Sequence, residues 1–400
     1  KELSPFDSLT RRGTIFFEDK NGKLISAVLT RNIPFLYAIS KDVPDPEAYS
    51  EVLAPILKLP AAELQSRLYK PDDPYELLKR RLDGDELRQV EDLALEGVLV
   101  GEEEQRFYPH KEIAAQVLGF VSSAKNTQGQ YGIEQYFNDL LVGESLFRKT
   151  NAFFSNLSQP YKKTDLVLTI EPRVQAFIEQ RLNAVKDEWQ AESVFFVVMD
   201  PRTGKIIAMG GLPSFDPNAF GTYDLSTFVN PTISHVYEVG SVMKAITIAS
   251  AIDQEVVRPE TTFYDHGWVG VGDRIIENFD KKERGNQSVT NILEQSLNTG
   301  AVFVMQKLGK ERFASYLNNF QLGSKTGIPL TGEVSGNLDS ILNLEREVEF
   351  ATASFGQGIA VTPLGFTRAI AALANHGKLM KPIIVSKVIK EGEAVKVFEP

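Results

Sequence analysis

The chain has 400 residues, 42% of them hydrophobic and 24% charged, a composition that excludes general disorder and a length that fits several domains of about 100–200 residues. Its 43 basic and 53 acidic side chains give a net charge of −10 with no Lys/Arg-dense stretch, which argues against nucleic acid as a partner. The absence of cysteine excludes disulfides and thiol catalysis, and four histidines without a His-x-x-x-His spacing leave zinc no ligand set, so no metal site is expected.

Thr14–Phe17, the Asn21-Gly22 turn and Leu24–Leu29 read as a strand, a tight turn and a second strand. Residues 46–96 hold short amphipathic helices divided by Pro60, Pro71, Pro74 and Gly84. Glu102-Glu103-Glu104 reads as a solvated acidic turn. Leu141–Lys163 is mixed and turn-rich, and a domain boundary is expected there, giving regions 1–160 and 161–400. No internal repeat is visible.

Leu166, Leu168 and Ile170 lie in a predicted strand, and Pro172 opens a helix with Val174, Phe177, Ile178, Leu182 and Val185 on one face. Val194–Met199 reads as a buried strand that returns, after the turn Asp200–Gly204, along Lys205–Met209. Val242–Ile252 is apolar almost all round and reads as a core helix; a last helix runs from Pro363 to Gly377. The fold class is α+β. The longest charge-free run, Phe350–Thr367, is broken by Gly356, Gln357, Gly358, Pro363 and Gly365, so it reads as protein interior and not as a bilayer span. No signal-like stretch follows Lys1, so any leader or anchor is expected to be missing from this sequence.

Two patterns bear chemistry. In Ser241-Val242-Met243-Lys244 the lysine lies one helical turn from the serine and on the same face. A lysine in an apolar helix is desolvated, which favours the neutral amine and makes it a base for the hydroxyl. The plainer reading is a small capping serine and a snorkelling lysine. A second Ser-x-x-Lys, Ser122–Lys125, sits in a polar stretch where nothing desolvates its lysine. Ser296-Leu297-Asn298, 55 positions after Ser241, puts a hydroxyl and an amide in one turn before Thr299-Gly300 at an expected helix end. Ser and Asn are also common turn and capping residues, so this tripeptide by itself decides nothing.

Together these elements resemble the penicillin-binding transpeptidases, for which Ser-x-x-Lys is a signature. Asp200–Met209, Pro213–Asn218, Tyr237–Gly240, Ala353–Gly358, Val361–Leu364 and Ala374–Gly377 are similar to further blocks of that family. Arg12–Ile15, Arg106–Pro109, Gly119–Val121 and Tyr131–Glu134 resemble the non-catalytic pedestal, or dimerisation-type domain, of class B members, with the division-type branch the better fit. The resemblance implies a pedestal followed by a transpeptidase domain of antiparallel sheet and helices. It implies Ser241 as nucleophile, Lys244 as its base, Ser296 as proton relay and Asn298 as a substrate-binding residue, with no cofactor. Peptidoglycan stem peptides and β-lactams are the implied ligands. A cell-wall glycosyltransferase and division proteins are the implied partners, at the outer face of a bacterial cell membrane. A non-catalytic scaffold, a β-lactam sensor and a β-lactamase are the alternatives.

The family's third motif, Lys-Thr-Gly on a sheet edge, has an imitation at Lys325-Thr326-Gly327. It precedes the 353–377 block, and Gly323 and Pro329 flank it where a strand wants neither, so it reads as a structural segment. The expectation is that the third motif and the membrane anchor lie outside this sequence, and that the stretch alone is crippled or inactive as a catalyst while its full-length parent is active.

Overall fold

The computed structural model describes residues 12–70, 75–122, 128–142, 164–342 and 345–399. Most of the boundary expected over 141–163 and most of the second Ser-x-x-Lys lie outside them. Ile15–Glu18 pairs antiparallel with Leu24–Ala38 through the turn at Gly22, whose φ of 78° is left-handed. Leu24–Ala38 runs 15 residues, longer than predicted, and carries both Glu76–Lys79 and Val98–Phe107 as antiparallel partners. The acidic triplet is therefore strand and not turn: Glu102, Glu103 and Glu104 face Pro34, Ile33 and Asn32 across the ladder. Asn32 donates to Glu102 and Arg80 lies 3.9 Å from Glu103. Helices Pro46–Leu57, Ala61–Leu68 and Gly84–Leu93 close over this end of the sheet around Leu36, Leu53, Leu57, Leu64 and Val90.

On its other side Ile15–Glu18 pairs parallel with Thr164–Leu168, which pairs antiparallel with Val385–Lys390 and then Glu393–Val397. One seven-stranded sheet thus joins strands from early, middle and late sequence. Leu166, Val167 and Leu168 are all fully buried, because this strand is covered on both faces. A second core at this joint gathers Ile15, Phe17, Phe137, Leu166, Ile206 and Phe215. Each such side chain contributes roughly 1.5–3 kcal/mol by leaving water.

The helix opened by Pro172 runs to Trp189, capped by Glu171 accepting from the Val174 amide. Its apolar stripe is only partly what it buries, with Leu182 inside. Phe177 is 60% exposed and Val185 41%, while Gln175 is fully buried. The inner face instead serves the strand Ile206–Leu212. The Met209 N–H donates to Gln175 Oε1 at 3.0 Å and the Gly211 N–H to Gln116 Oε1 at 3.0 Å, while Gln175 Nε2 donates to the Met209 carbonyl. Two side-chain amides satisfy an edge that would otherwise need another strand. The strand's other edge holds Val194–Met199, antiparallel. Every residue of Val194–Met199 is half-buried and not core, because among the described residues its far edge pairs with no strand.

Glu179, on the same helix, accepts from Gln175 Nε2 at 2.7 Å and from the Ala114 N–H at 3.0 Å. Burial pushes its carboxyl up from 4.5 to about 7; those hydrogen bonds hold it down in part, and Glu112 adds to the rise. The folded state therefore keeps a proton that the unfolded state gives up near 4.5. Stability contributed by this group is full below that pH and is lost as pH rises through about 7, a difference of about 3 kcal/mol. Glu179→Gln is expected to flatten the urea midpoint between pH 5 and 8 and to raise it at pH 8; parallel curves for the two proteins would remove the assignment.

The remaining core packs about the helix Lys244–Asp253, with Met243, Ile246, Leu297, Val302, Phe350 and Phe366 in contact. In the charge-free run, Phe350, Ala351, Ala353, Phe355, Ile359, Val361 and Leu364 are buried in the protein. No helix of the described residues is long and apolar enough to cross a membrane. The helix that Pro363 opens ends at Leu373, Thr362 capping its start.

Candidate active site

The 3-10 turn Gly240–Met243 leads directly into the helix Lys244–Asp253, so the helix begins later than predicted. In a 3-10 turn residues i and i+3 eclipse, which brings Lys244 under Ser241. Val242 between them is 55% exposed and Ile252 42%, so the helix is not buried all round. The turn is fixed from outside. The Gly240 N–H donates to the Gly356 carbonyl at 3.1 Å, the Gly358 N–H to Glu238, and Thr247 Oγ1 to the Ser354 carbonyl. Glycine is required at 356, since a Cβ there would lie 2.2 Å from the Gly240 oxygen.

Ser296 follows the helix Val289–Glu294 and has φ of 56°, a left-handed conformation that costs a serine roughly 1–2 kcal/mol. The chain reverses there, and Asn298 is the first residue of the helix Asn298–Leu308. Thr299-Gly300 therefore stands at a helix start, not an end. A glycine fits at 300 because a Cβ would meet Ile292 at 2.5 Å. The left-handed serine turns both its carbonyl and its hydroxyl to the lysine.

Lys244 is 1% exposed, and its Nζ lies 3.1 Å from Ser241 Oγ, 3.0 Å from Ser296 Oγ, 2.6 Å from the Ser296 carbonyl and 2.9 Å from Asn298 Oδ1. Burial lowers its amine from 10.5 to about 8. The two carbonyl oxygens can only accept. A neutral amine gives them its two hydrogens and keeps its lone pair for a hydroxyl, from either serine. The four predicted residues are thus brought together, and a proton can pass from one serine to the other through a single nitrogen. The second Ser-x-x-Lys falls mostly outside the described residues, and the residues around Lys325-Thr326-Gly327 form no strand. There the Thr326 N–H and hydroxyl and the Gly327 N–H all donate to Glu333.

Ser241, Ser296 and Asn298 line a cleft of about 480 Å³ with Asn278, Phe279 and Arg284. Phe279 is 99% exposed at its mouth, and Arg284 is paired with Asp280 at 2.9 Å. Among the described residues no group of three or more His, Asp or Glu side chains could hold a metal ion. The reading of the sequence missed Asp265, Glu277 and Asn278, which support the Ser296 turn; nothing in their local sequence distinguishes them from ordinary turn residues.

A serine beside a desolvated lysine, answered by a second serine and an asparagine across a cleft, has the groups that acyl transfer through a serine requires. Residues 194–399 match the penicillin binding protein transpeptidase domain and residues 8–152 the penicillin-binding protein dimerisation domain, so the chain belongs to the penicillin-binding protein transpeptidase family. It is 30% identical to stage V sporulation protein D of Bacillus subtilis over 96% of this chain and 60% of that protein. It is 28% identical to the peptidoglycan D,D-transpeptidase FtsI of Escherichia coli over 97% of this chain and 66% of that protein. Penicillin binding protein 2X from Streptococcus thermophilus shares the fold, with a TM-score of 0.70 at 21% identity over 97% of this chain and 62% of that one. The chain thus spans about 60% of the length of the curated relatives it matches.

Proposed function

We propose that the protein is a class B, division-type, serine D,D-transpeptidase that cross-links peptidoglycan. The observation that carries this is the Lys244 amine, buried and lowered to about 8 between two serine hydroxyls. Ser241 Oγ attacks the penultimate D-Ala carbonyl of a stem peptide as its proton passes to Lys244 Nζ. Ser296 Oγ, hydrogen-bonded to the same nitrogen, hands a proton to the departing D-Ala amine. An acceptor amine then attacks the Ser241 ester, the new amide forms, and Ser241 recovers its proton. Asn298 Nδ2 uses one hydrogen on the Glu277 carbonyl at 3.0 Å, and its second is available to a donor-peptide carbonyl. The Ser241 N–H, at the start of the turn, supplies one oxyanion donor.

A β-lactam enters the same reaction as a strained amide and stays on Ser241 as the ester. The proposal places the enzyme at the outer face of a bacterial cell membrane, beside a cell-wall glycosyltransferase and division proteins, as the resemblance to class B members implies; the relatives' names support its peptidoglycan D,D-transpeptidase part. The test is the intact mass of the chain after exposure to a penicillin, with Ser241→Ala in parallel. An adduct on the wild type alone is expected. No adduct on a folded wild type would reject activity for this stretch, and rapid turnover would favour a β-lactamase.

A further inference from the structure

The Ser296-Leu297-Asn298 turn does not hold itself. Leu297, at the cap position of the helix Asn298–Leu308, has no side-chain acceptor for the helix's first amides. Asn278, just past the strand Arg274–Glu277, supplies one from 20 residues away in sequence. Its Oδ1 accepts from the Asn298 N–H at 2.8 Å and from the Thr299 N–H at 3.2 Å. The neighbouring Glu277 carbonyl takes the Asn298 side-chain Nδ2 at 3.0 Å. Asn298 is therefore gripped at its backbone and at its side chain by two consecutive residues.

Asn278 is itself oriented. Asp265, fully buried, receives Asn278 Nδ2 on both carboxylate oxygens, at 3.0 and 2.9 Å. That fixes which end of the amide faces the helix, since only Oδ1 can accept from its N–H groups. The same carboxylate accepts from Thr299 Oγ1 at 2.8 Å and from the Gly267 N–H at 2.9 Å, and Arg284 lies 3.9 Å away. A negative group beside a helix N-terminus also suits its dipole.

We propose that Asp265 and Asn278 are positioning residues that set the placement of Ser296 and Asn298 about Lys244. Among the described residues neither hydrogen-bonds to Ser241, and both act through the turn they hold. The inference rests on the transpeptidase reading for its consequence in rate, and on geometry alone for its consequence at the lysine. Loosening the turn moves two of the three side-chain partners of Lys244 and admits water to the amine.

The test measures two quantities on the full chain below its unfolding temperature: the second-order rate of acylation by a fluorescent penicillin, and the titration midpoint of Lys244 by NMR of labelled lysine. Asn278→Ala removes the acceptor, and Asn278→Asp sets two carboxylates against each other. Each is expected to slow acylation about ten- to a hundredfold, as misplacement of a reacting group does. Each is also expected to raise the Lys244 midpoint from about 8 towards 10.5. The exchanged pair, Asp265→Asn with Asn278→Asp, reverses the hydrogen bond between the two side chains but keeps an acceptor for the Asn298 and Thr299 N–H groups and another for the Thr299 hydroxyl and the Gly267 N–H, and it is expected to restore both quantities. A general loss of stability would not be reversed in this way.

Unchanged rate and midpoint in folded Asn278→Ala and Asn278→Asp would overturn the clamp. A wild type that is never acylated, with a midpoint that moves in the single variants and returns in the exchange, would support the clamp and overturn the transpeptidase reading. If Asn278→Asp does not fold, Asn278→Ser, which leaves a shorter acceptor, takes its place with the same two readouts.

Discussion

Lys244→Met is expected to lower the rate of acylation by a penicillin by about a thousandfold, within the 10²–10⁴ range of a positioned base. The expectation rests on how little else near Ser241 could take its proton. The Nζ lies 3.1 Å from Ser241 Oγ, and the other atoms it contacts are carbonyl oxygens and a serine hydroxyl. Met fills the space without a lone pair of comparable basicity. The wild-type rate carries a second signature. Only the neutral amine accepts a proton, so the rate should climb as pH rises and level off above about 8. The variant should lose that inflection along with its rate. A stopped-flow or fluorescence-polarisation series from pH 6 to 10 reads both, and a variant retaining a tenth of the wild-type rate would remove Lys244 from the base's role.

Glu134→Ala is expected to destabilise the protein by about 3–5 kcal/mol, the range for stripping a buried ion pair of one partner. Glu134 is fully buried between two guanidinium groups. Arg12 Nε donates to Glu134 Oε2 at 2.7 Å and Arg106 Nε to Oε1 at 2.8 Å, and Arg12 also donates to Oε2 and the Glu134 carbonyl through Nη2. Burial pushes the carboxyl up, but Arg106 and Arg12 together outweigh it and hold it below its ordinary 4.5. Its contribution is therefore present above the ordinary carboxylate range and is lost as pH falls through the lowered value. Urea unfolding at pH 7 measures the loss, and a change under about 1 kcal/mol would show that the guanidinium groups find other partners.

These two sites also show how far the sequence could be read. The meeting of Ser241 and Lys244 was legible because both residues lie within one turn, and local periodicity reports what lies one turn away. The Ser-x-Asn turn was legible only as a pattern. Its left-handed serine and the helix it begins depend on Asn278 and Asp265, which local spacing does not connect to it. Arg12, Arg106 and Glu134 each stood in a segment resembling the pedestal, but their meeting spans 122 positions between Arg12 and Glu134. Such contacts are set by the path of the sheet. The misread elements share a cause. The acidic triplet became strand because Leu24–Ala38 offered it a ladder, and Gln175 went inside because a strand edge needed its amide. In both, pairing of backbone groups outweighed side-chain polarity.

The outer edge of Val194–Met199 has a consequence for handling the protein. Val-Phe-Phe-Val-Val-Met is uncharged, free of Gly and Pro and strongly β-forming, and it presents an unpaired row of N–H and C=O groups among the described residues. Another copy of the same strand is a ready partner for it. Heating or concentrating the isolated chain therefore sets refolding against association between molecules. Its resistance to heat becomes a half-life that shortens with protein concentration and with slower scanning, and not an equilibrium midpoint.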